Sequence, residues 1–292
     1  MYNSISSTRQ INTSSVLQSI INNQHISRAQ ISEVTGLNKA TVSSIVKALI
    51  EEEIIIETGE GNSSDVGGRK PIMLGLNVFK NTIIALEVGP TFIIGELTYL
   101  NGKTIKKFSN KKLVVTKDNT EELIINVVKL LKTDKNNIIG LGIAVHGTTY
   151  KNNIIYTPYY DLDEVNLYKI LQKKFDFPIV IENEANANAV GEYTFGNHSN
   201  TLVSMSIHTG IGIGSVIKGE IQSGFSGKAG AIGHSILFPN GIKCPCGNRG
   251  CLEQYASNRV VYDKIKFLRK IPEIDSTIIA ELYARGDEDI ID

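Results

Sequence analysis

Apolar residues recur with two different periods along this chain, and the change of period divides it. In the first fifty residues the spacing is helical. Val16, Leu17, Ile20 and Ile21 make one apolar face of a helix ending near Asn22-Asn23. Ser27-Arg28-Ala29-Gln30 is a capping box, with Ser27 as N-cap, and Ile26 and Ile31 sit where a hydrophobic staple would place them. A second helix is therefore predicted from Arg28 to Thr35, with Gly36 supplying the turn. Asn38 caps a third, whose buried face is Val42, Ile45, Val46, Leu49 and Ile50. Two strands follow, at Ile54-Ile55-Ile56 and Ile72-Met73-Leu74, around a Gly/Ser-rich loop ending Gly67-Gly68-Arg69-Lys70-Pro71.

Three short helices with a tight turn, then two strands and a basic loop, form the pattern of a winged helix-turn-helix over residues 1–78. The outer face of the third helix carries Lys39, Thr41, Ser43, Ser44 and Lys47. With Asn38 at the helix start, these short polar and basic groups suit base edges and phosphates in a major groove. Arg69 would meet phosphate or minor groove at the wing. Glu51, Glu52 and Glu53 must then point away from DNA. The alternative is a three-helix interaction module with solvated polar faces.

From about residue 80 the pattern becomes that of strands. Segments 82–88, 91–100 and 103–115 read as consecutive strands, with a hairpin turn at Asn101-Gly102. A helix over 119–132, a buried strand at Ile138–Val145, a helix near 165–175 and a strand at Pro178–Ile181 follow. That order predicts an α/β actin-like (ribonuclease-H-like) domain: a mixed sheet with helices on its faces. Segments 201–207 and 213–221 begin a second such sheet.

Composition narrows the class. With 41% hydrophobic and 21% charged residues the chain is an ordinary globular one. Its 30 Lys plus Arg match 30 Asp plus Glu, so it does not coat nucleic acid by bulk charge, though a local basic face remains open to it. No apolar run reaches the roughly 18 residues needed to cross a bilayer, and the first 25 residues hold no secretory signal, so a cytoplasmic protein is expected. All 3 cysteines lie between residues 244 and 251. His234, Cys244, Cys246 and Cys251 offer a complete tetrahedral set for zinc with no open position, which predicts a structural ion.

At these residues the chain resembles the ROK family of sugar kinases and sugar-responsive repressors. Gly233-His234 followed by Cys244-Pro-Cys246-Gly247-Asn-Arg-Gly250-Cys251-Leu-Glu253 is similar to its zinc signature. Ile181-Glu182-Asn183-Glu184-Ala185-Asn186-Ala187 is similar to its sugar motif. Gly140-Leu-Gly142-Ile-Ala-Val-His146-Gly147 and His208-Thr-Gly210-Ile-Gly212-Ile-Gly214 resemble two of its glycine-rich loops. The resemblance implies a two-lobed sugar-binding domain over residues 79–292 whose sugar contacts are Asn183, Glu184, His234 and Glu253. His234 would serve zinc with one ring nitrogen and sugar with the other.

Departures from the kinase pattern shape the functional expectation. Glu184 stands where the resemblance implies a catalytic Asp, and the phosphate loop reads Glu87-Val88-Gly89-Pro90-Thr91, with Pro90 lacking an N–H. Ala231 replaces a Glu that many members carry. Members of the family also continue well beyond residue 292, so the second lobe is expected to lack its C-terminal part. The expectation is a repressor, not an enzyme, that binds operator DNA as a homo-oligomer and releases it when xylose binds. The alternatives are a sugar kinase fused to a DNA-binding module, and a truncated relative that binds DNA without responding to sugar.

Overall fold

Thr8–Asn22 forms helix α1, and its Val16 and Ile20 are buried. A two-residue strand β1 (Ile26–Ser27) leads into α2 (Arg28–Thr35), then α3 (Lys39–Glu51). This computed structural model describes residues 8–23, 25–62, 70–133, 137–196, 201–271 and 274–291. The capping box is formed in both directions. Ser27 Oγ accepts the Gln30 N–H, and Gln30 Oε1 accepts the Ser27 N–H at 2.9 Å. Gly36 closes α2 at φ 70°, in the left-handed region that glycine enters freely. Asn38 Oδ1 accepts the Thr41 N–H at 2.8 Å and starts α3.

Strands β2 (Ile55–Glu60) and β3 (Ile72–Leu76) pair antiparallel, with β1 on the other side of β3. Val16, Ile20, Ile31, Val42, Val46 and Leu74 meet in one core beneath this sheet. Residues 63–69 of the wing loop, Arg69 among them, lie outside the described residues.

Four residues, 77–80, connect β3 to β4 (Asn81–Val88). Next come β5 (Ile93–Tyr99), β6 (Thr104–Asn110), α4 (Thr120–Leu131) and β7 (Asn137–Val145). A hairpin of β8 (Thr148–Tyr150) and β9 (Asn153–Tyr156), α5 (Leu167–Gln172) and β10 (Ile179–Asn183) follow. The main sheet has the order β10-β7-β4-β5-β6, with β10, β7 and β4 parallel and β5 and β6 antiparallel. This is the mixed sheet of the actin-like expectation. Its core joins Ile84, Leu86, Leu97, Ile124, Leu131, Leu141 and Ile143.

Helix α6 (Glu184–Phe195) passes to a second sheet, β11 (Thr201–Ile207), β12 (Ile211–Ile217) and β13 (Glu220–Ile221), all antiparallel. Short helices α7 (Glu253–Ala256), α8 (Asn258–Arg269), α9 (Ser276–Ala284) and α10 (Glu288–Ile291) end the described chain. Among the described residues no helix is long and apolar enough to cross a membrane.

Several boundaries differ from the sequence expectation; the strand expected at Ile54–Ile56 runs on to Glu60. The strand expected over 103–115 ends at Asn110, because Asn110 Oδ1 takes the Lys112 N–H in a turn and the Val115 N–H goes to Pro90 O. The strand expected over 213–221 breaks at Lys218-Gly219, both at positive φ, into β12 and β13. The helix near 165–175 covers only Leu167–Gln172, since Asn166 caps it by accepting the Lys169 N–H.

Candidate functional site

One pocket opens at the carboxyl ends of β4, β7 and β10, where ligands of open α/β sheets characteristically sit. It gathers Asn183, Glu184, His234 and Glu253, the four positions expected to contact sugar. Asn183 ends β10 and caps α6. Its Oδ1 accepts the Asn186 N–H at 3.1 Å, and its Nδ2 donates to Gly147 O at 2.7 Å. The amide therefore orients the motif and keeps one hydrogen and one lone pair for a ligand. Glu182, which points away from this role, holds the turn together by accepting from Thr149 Oγ1, Asn186 Nδ2 and the Asn183 N–H.

Glu184 is buried at the first position of α6. Its Oε1 accepts from Asn188 Nδ2 at 2.6 Å, one helical turn on, and from the buried Ser206 hydroxyl on β11. His208 Nε2 stands 3.6 Å away. The longer Glu side chain is thus pinned against its own helix and the facing strand. The β11–β12 hairpin can approach this closely because it is glycine-rich. A Cβ at Gly214 would lie 2.1 Å from Ala185 O, and one at Gly210 would lie 2.8 Å from Glu253 Oε2.

Glu253, only 3% exposed, divides its two oxygens between tasks. Oε1 accepts from Tyr159 Oη at 3.0 Å and Gln254 Nε2 at 3.2 Å, and lies 3.3 Å from Cys244 Sγ. Oε2 faces Gly210 and Gly233 at the pocket wall. Burial, and then Glu253 itself, push the Tyr159 hydroxyl well up, so Tyr159 remains a donor. Neither carboxylate is the solvated surface group that either would be in isolation.

His234, Cys244, Cys246 and Cys251 bring their ligand atoms within 4.8 Å of one another. Cys246 Sγ lies 3.7 Å from Cys251 Sγ, and His234 Nδ1 lies 3.7 Å from Cys244 Sγ. These separations fit the edges of a tetrahedron around one zinc-sized ion. Burial pushes the Cys244 and Cys251 thiols up, so thiolates there call for a cation to balance them. Cys244 and Cys251 are buried. With Nδ1 turned to the sulfurs, Nε2 is the nitrogen left for the pocket.

On the pocket wall, His146 Nε2 lies 2.9 Å from Glu87 Oε1. This hydrogen bond holds the Glu87 carboxyl below its ordinary range. Tyr160 locks the corner: its hydroxyl donates to Val88 O at 2.7 Å and accepts the His146 N–H at 2.9 Å. The sequence showed Glu87 as a departure but not its partner. It also gave no sign of Tyr159 or Ser206, since their contacts join segments 94 and 22 residues apart.

On the DNA-binding module, Asn38, Lys39, Ser43, Ser44 and Lys47 are exposed and Thr41 is half-buried, all on the side of α3 away from the core. Asn38 spends its side-chain oxygen on the cap and keeps its NH2 free to donate. Lys47 stands 3.8 Å from Glu51, both well exposed, a pairing worth little in water. Arg69 lies outside the described residues.

A model of the ROK family matches residues 83–290. The chain belongs to the ROK family. A winged helix-turn-helix DNA-binding model matches residues 10–56 in front of it. The xylose repressor of Bacillus spizizenii is 40% identical over 270 residues, spanning 90% of this chain and 70% of that protein. Among solved structures, a ROK family transcriptional regulator described as a homolog of E. coli MLC aligns with a TM-score of 0.78 at 24% identity, over 97% of this chain and 76% of that one. A ROK family glucokinase from Streptomyces griseus, solved with glucose and AMPPNP, aligns with a TM-score of 0.65 at 26% identity, over 72% of this chain and 73% of that one. This ROK chain thus has repressors and kinases among its relatives, and the named relative matched across both of its modules is a repressor.

Proposed function

We propose that this ROK protein is a xylose-responsive transcriptional repressor that binds its sugar without phosphorylating it. The observation that carries the reading is the loop Glu87–Thr91: Pro90, on the pocket wall, removes an N–H that could hold phosphate, and Glu87, where the kinase pattern has the shorter Asp, is fixed by His146. Glu184, in the position of a catalytic base, is held by Ser206 and Asn188, so it serves as an acceptor fixed in place. Glu184, Glu253 Oε2, His234 Nε2 and the spare capacity of Asn183 then read the hydroxyls of a sugar. Structural zinc on His234, Cys244, Cys246 and Cys251 would fix the imidazole and, through the loop, Glu253.

In the DNA-bound state Lys39, Thr41, Ser43, Ser44 and Lys47 would enter the major groove, with Asn38 at the helix start and Arg69 on the wing. Two copies would occupy two half-sites. Fluorescence anisotropy with DNA from the protein's own upstream region tests this: affinity falls when xylose is added. A coupled ATP assay with xylose or glucose shows no ADP formation. Sugar-dependent ADP release would overturn the non-enzymatic reading, and DNA affinity indifferent to xylose would overturn the inducer.

A further inference from the structure

Helix α3 ends in a complete Schellman arrangement: the Glu53 N–H goes to Ile50 O and the Ile54 N–H to Leu49 O. The left-handed position of this motif is normally glycine. Here it is Glu53, at φ 56°. A side chain in that conformation is strained and needs support from its surroundings. The support comes from the first residues of the sugar domain. Lys80 Nζ meets the Glu53 carboxylate at 3.1 Å, and Asn81 Nδ2 donates to the Glu53 carbonyl at 2.9 Å. Asn81 is 1% exposed, so no water stands ready to replace it. Its Oδ1 in turn accepts from Asn137 Nδ2 at 2.8 Å.

Asn81 and Asn137 are the opposed first residues of the parallel pair β4 and β7. The same two strands end at the pocket, where Glu87 and His146 form the second side-chain link between them. One ladder, roughly 25 Å long at the usual rise per residue, therefore has the recognition helix clasped at one end and the ligand pocket at the other. The ladder carries a register shift between Thr82 and Ile83, beside the clasp, where the pairing yields most easily.

We propose that the Asn137–Asn81–Glu53 chain transmits the state of the pocket to the recognition helix, with Asn81 and Asn137 as its positioning residues. This rests on the sugar-responsive reading above. A shift of β4 against β7 on ligand binding withdraws the Asn81 donor from the Glu53 carbonyl and releases Glu53 from its strained conformation. The helix end then relaxes and α3 turns from its DNA-reading pose. The sugar-bound arrangement is the one without the clasp, which gives the ligand its differential affinity for the two states.

The test measures xylose affinity by calorimetry and DNA affinity by anisotropy, with and without xylose, on the full chain. Asn137→Ala frees Asn81 without emptying a core position, and Glu53→Gly removes the strain that the clasp restrains. In both, xylose binding persists, while the fold by which xylose weakens DNA binding drops toward about one, and the reciprocal effect of DNA on xylose affinity drops with it. Ile45→Val, which loosens the core of the DNA-binding module and leaves the clasp alone, retains the unaltered ratio. A merely structural role for the asparagines would move Ile45→Val and Asn137→Ala alike, which overturns the proposal. An undiminished ratio in both Asn137→Ala and Glu53→Gly overturns it as well. If xylose fails to release DNA from the unaltered chain, xylose as inducer falls, and the clasp as transmitter of its signal falls with it.

Discussion

Glu87 shows how one contact between distant segments sets the state of a side chain beside the pocket. A carboxylate hydrogen-bonded to His146 stays ionised to lower pH than a free Glu does. Its lowered pKa has a consequence for stability. The pair stabilises the folded protein fully above the ordinary Glu value of 4.5, and loses that contribution as pH falls through the lower folded value. Urea unfolding midpoints of the unaltered chain and Glu87→Gln should therefore differ near neutral pH and converge in strong acid. Midpoints separated by the same amount at all pH values would show that the charge is not what Glu87 contributes. The residue also marks the reach of sequence reading. Contacts between near neighbours, such as Ser27 with Gln30 or the cysteines around residue 246, have spacings that sequence displays directly. His146 lies 59 residues from Glu87, and nothing local in either segment announces the other.

At the scale of elements, the helices of the first module follow from their ends. Ser27 is 4% exposed and satisfies the Gln30 N–H while Gln30 satisfies its own. Ser27→Ala removes the acceptor and should cost about 1 kcal/mol, read as a lowered urea midpoint of the DNA-binding module; an unchanged midpoint would mean that β1 alone sets the helix start. Helix periodicity located α2, α3 and α4 within a residue or so, because a buried stripe and a cap both speak. Strand limits were less legible. Leu113-Val114-Val115 read as strand, yet residues 111–115 leave the sheet because Asn110 turns the chain and Val115 bonds to the loop at Pro90. Likewise Lys218 adopts φ 50°, a conformation its residue type does not advertise.

For the whole molecule, the two cores are separate: that of the first module ends with Leu74 and Leu76, and that of the main sheet begins with Ile84. Metal removal should act on one of them. The zinc site, on our reading, orders the loop that carries His234 and holds Glu253, so stripping the ion with a strong chelator should abolish xylose binding and lower the melting of the sugar domain. The melting of the DNA-binding module should stay in place. Differential scanning calorimetry with and without chelator distinguishes this from a protein that takes no metal, whose trace would not move.

The link between the modules is residues 77–80, and even these are tied, with the Asn77 N–H bonded to Ile54 O and the Lys80 N–H to Asn77 O. While the Asn81 clasp holds, a tether so short and so bonded gives the reading head little freedom to swivel. In an assembly of two copies the heads would be set at a fixed helical phase, and the protein would tolerate little variation in operator spacing. Moving one half-site by about five base pairs, half a turn of the duplex, would carry it to the far face of the DNA, where a rigidly mounted head does not follow.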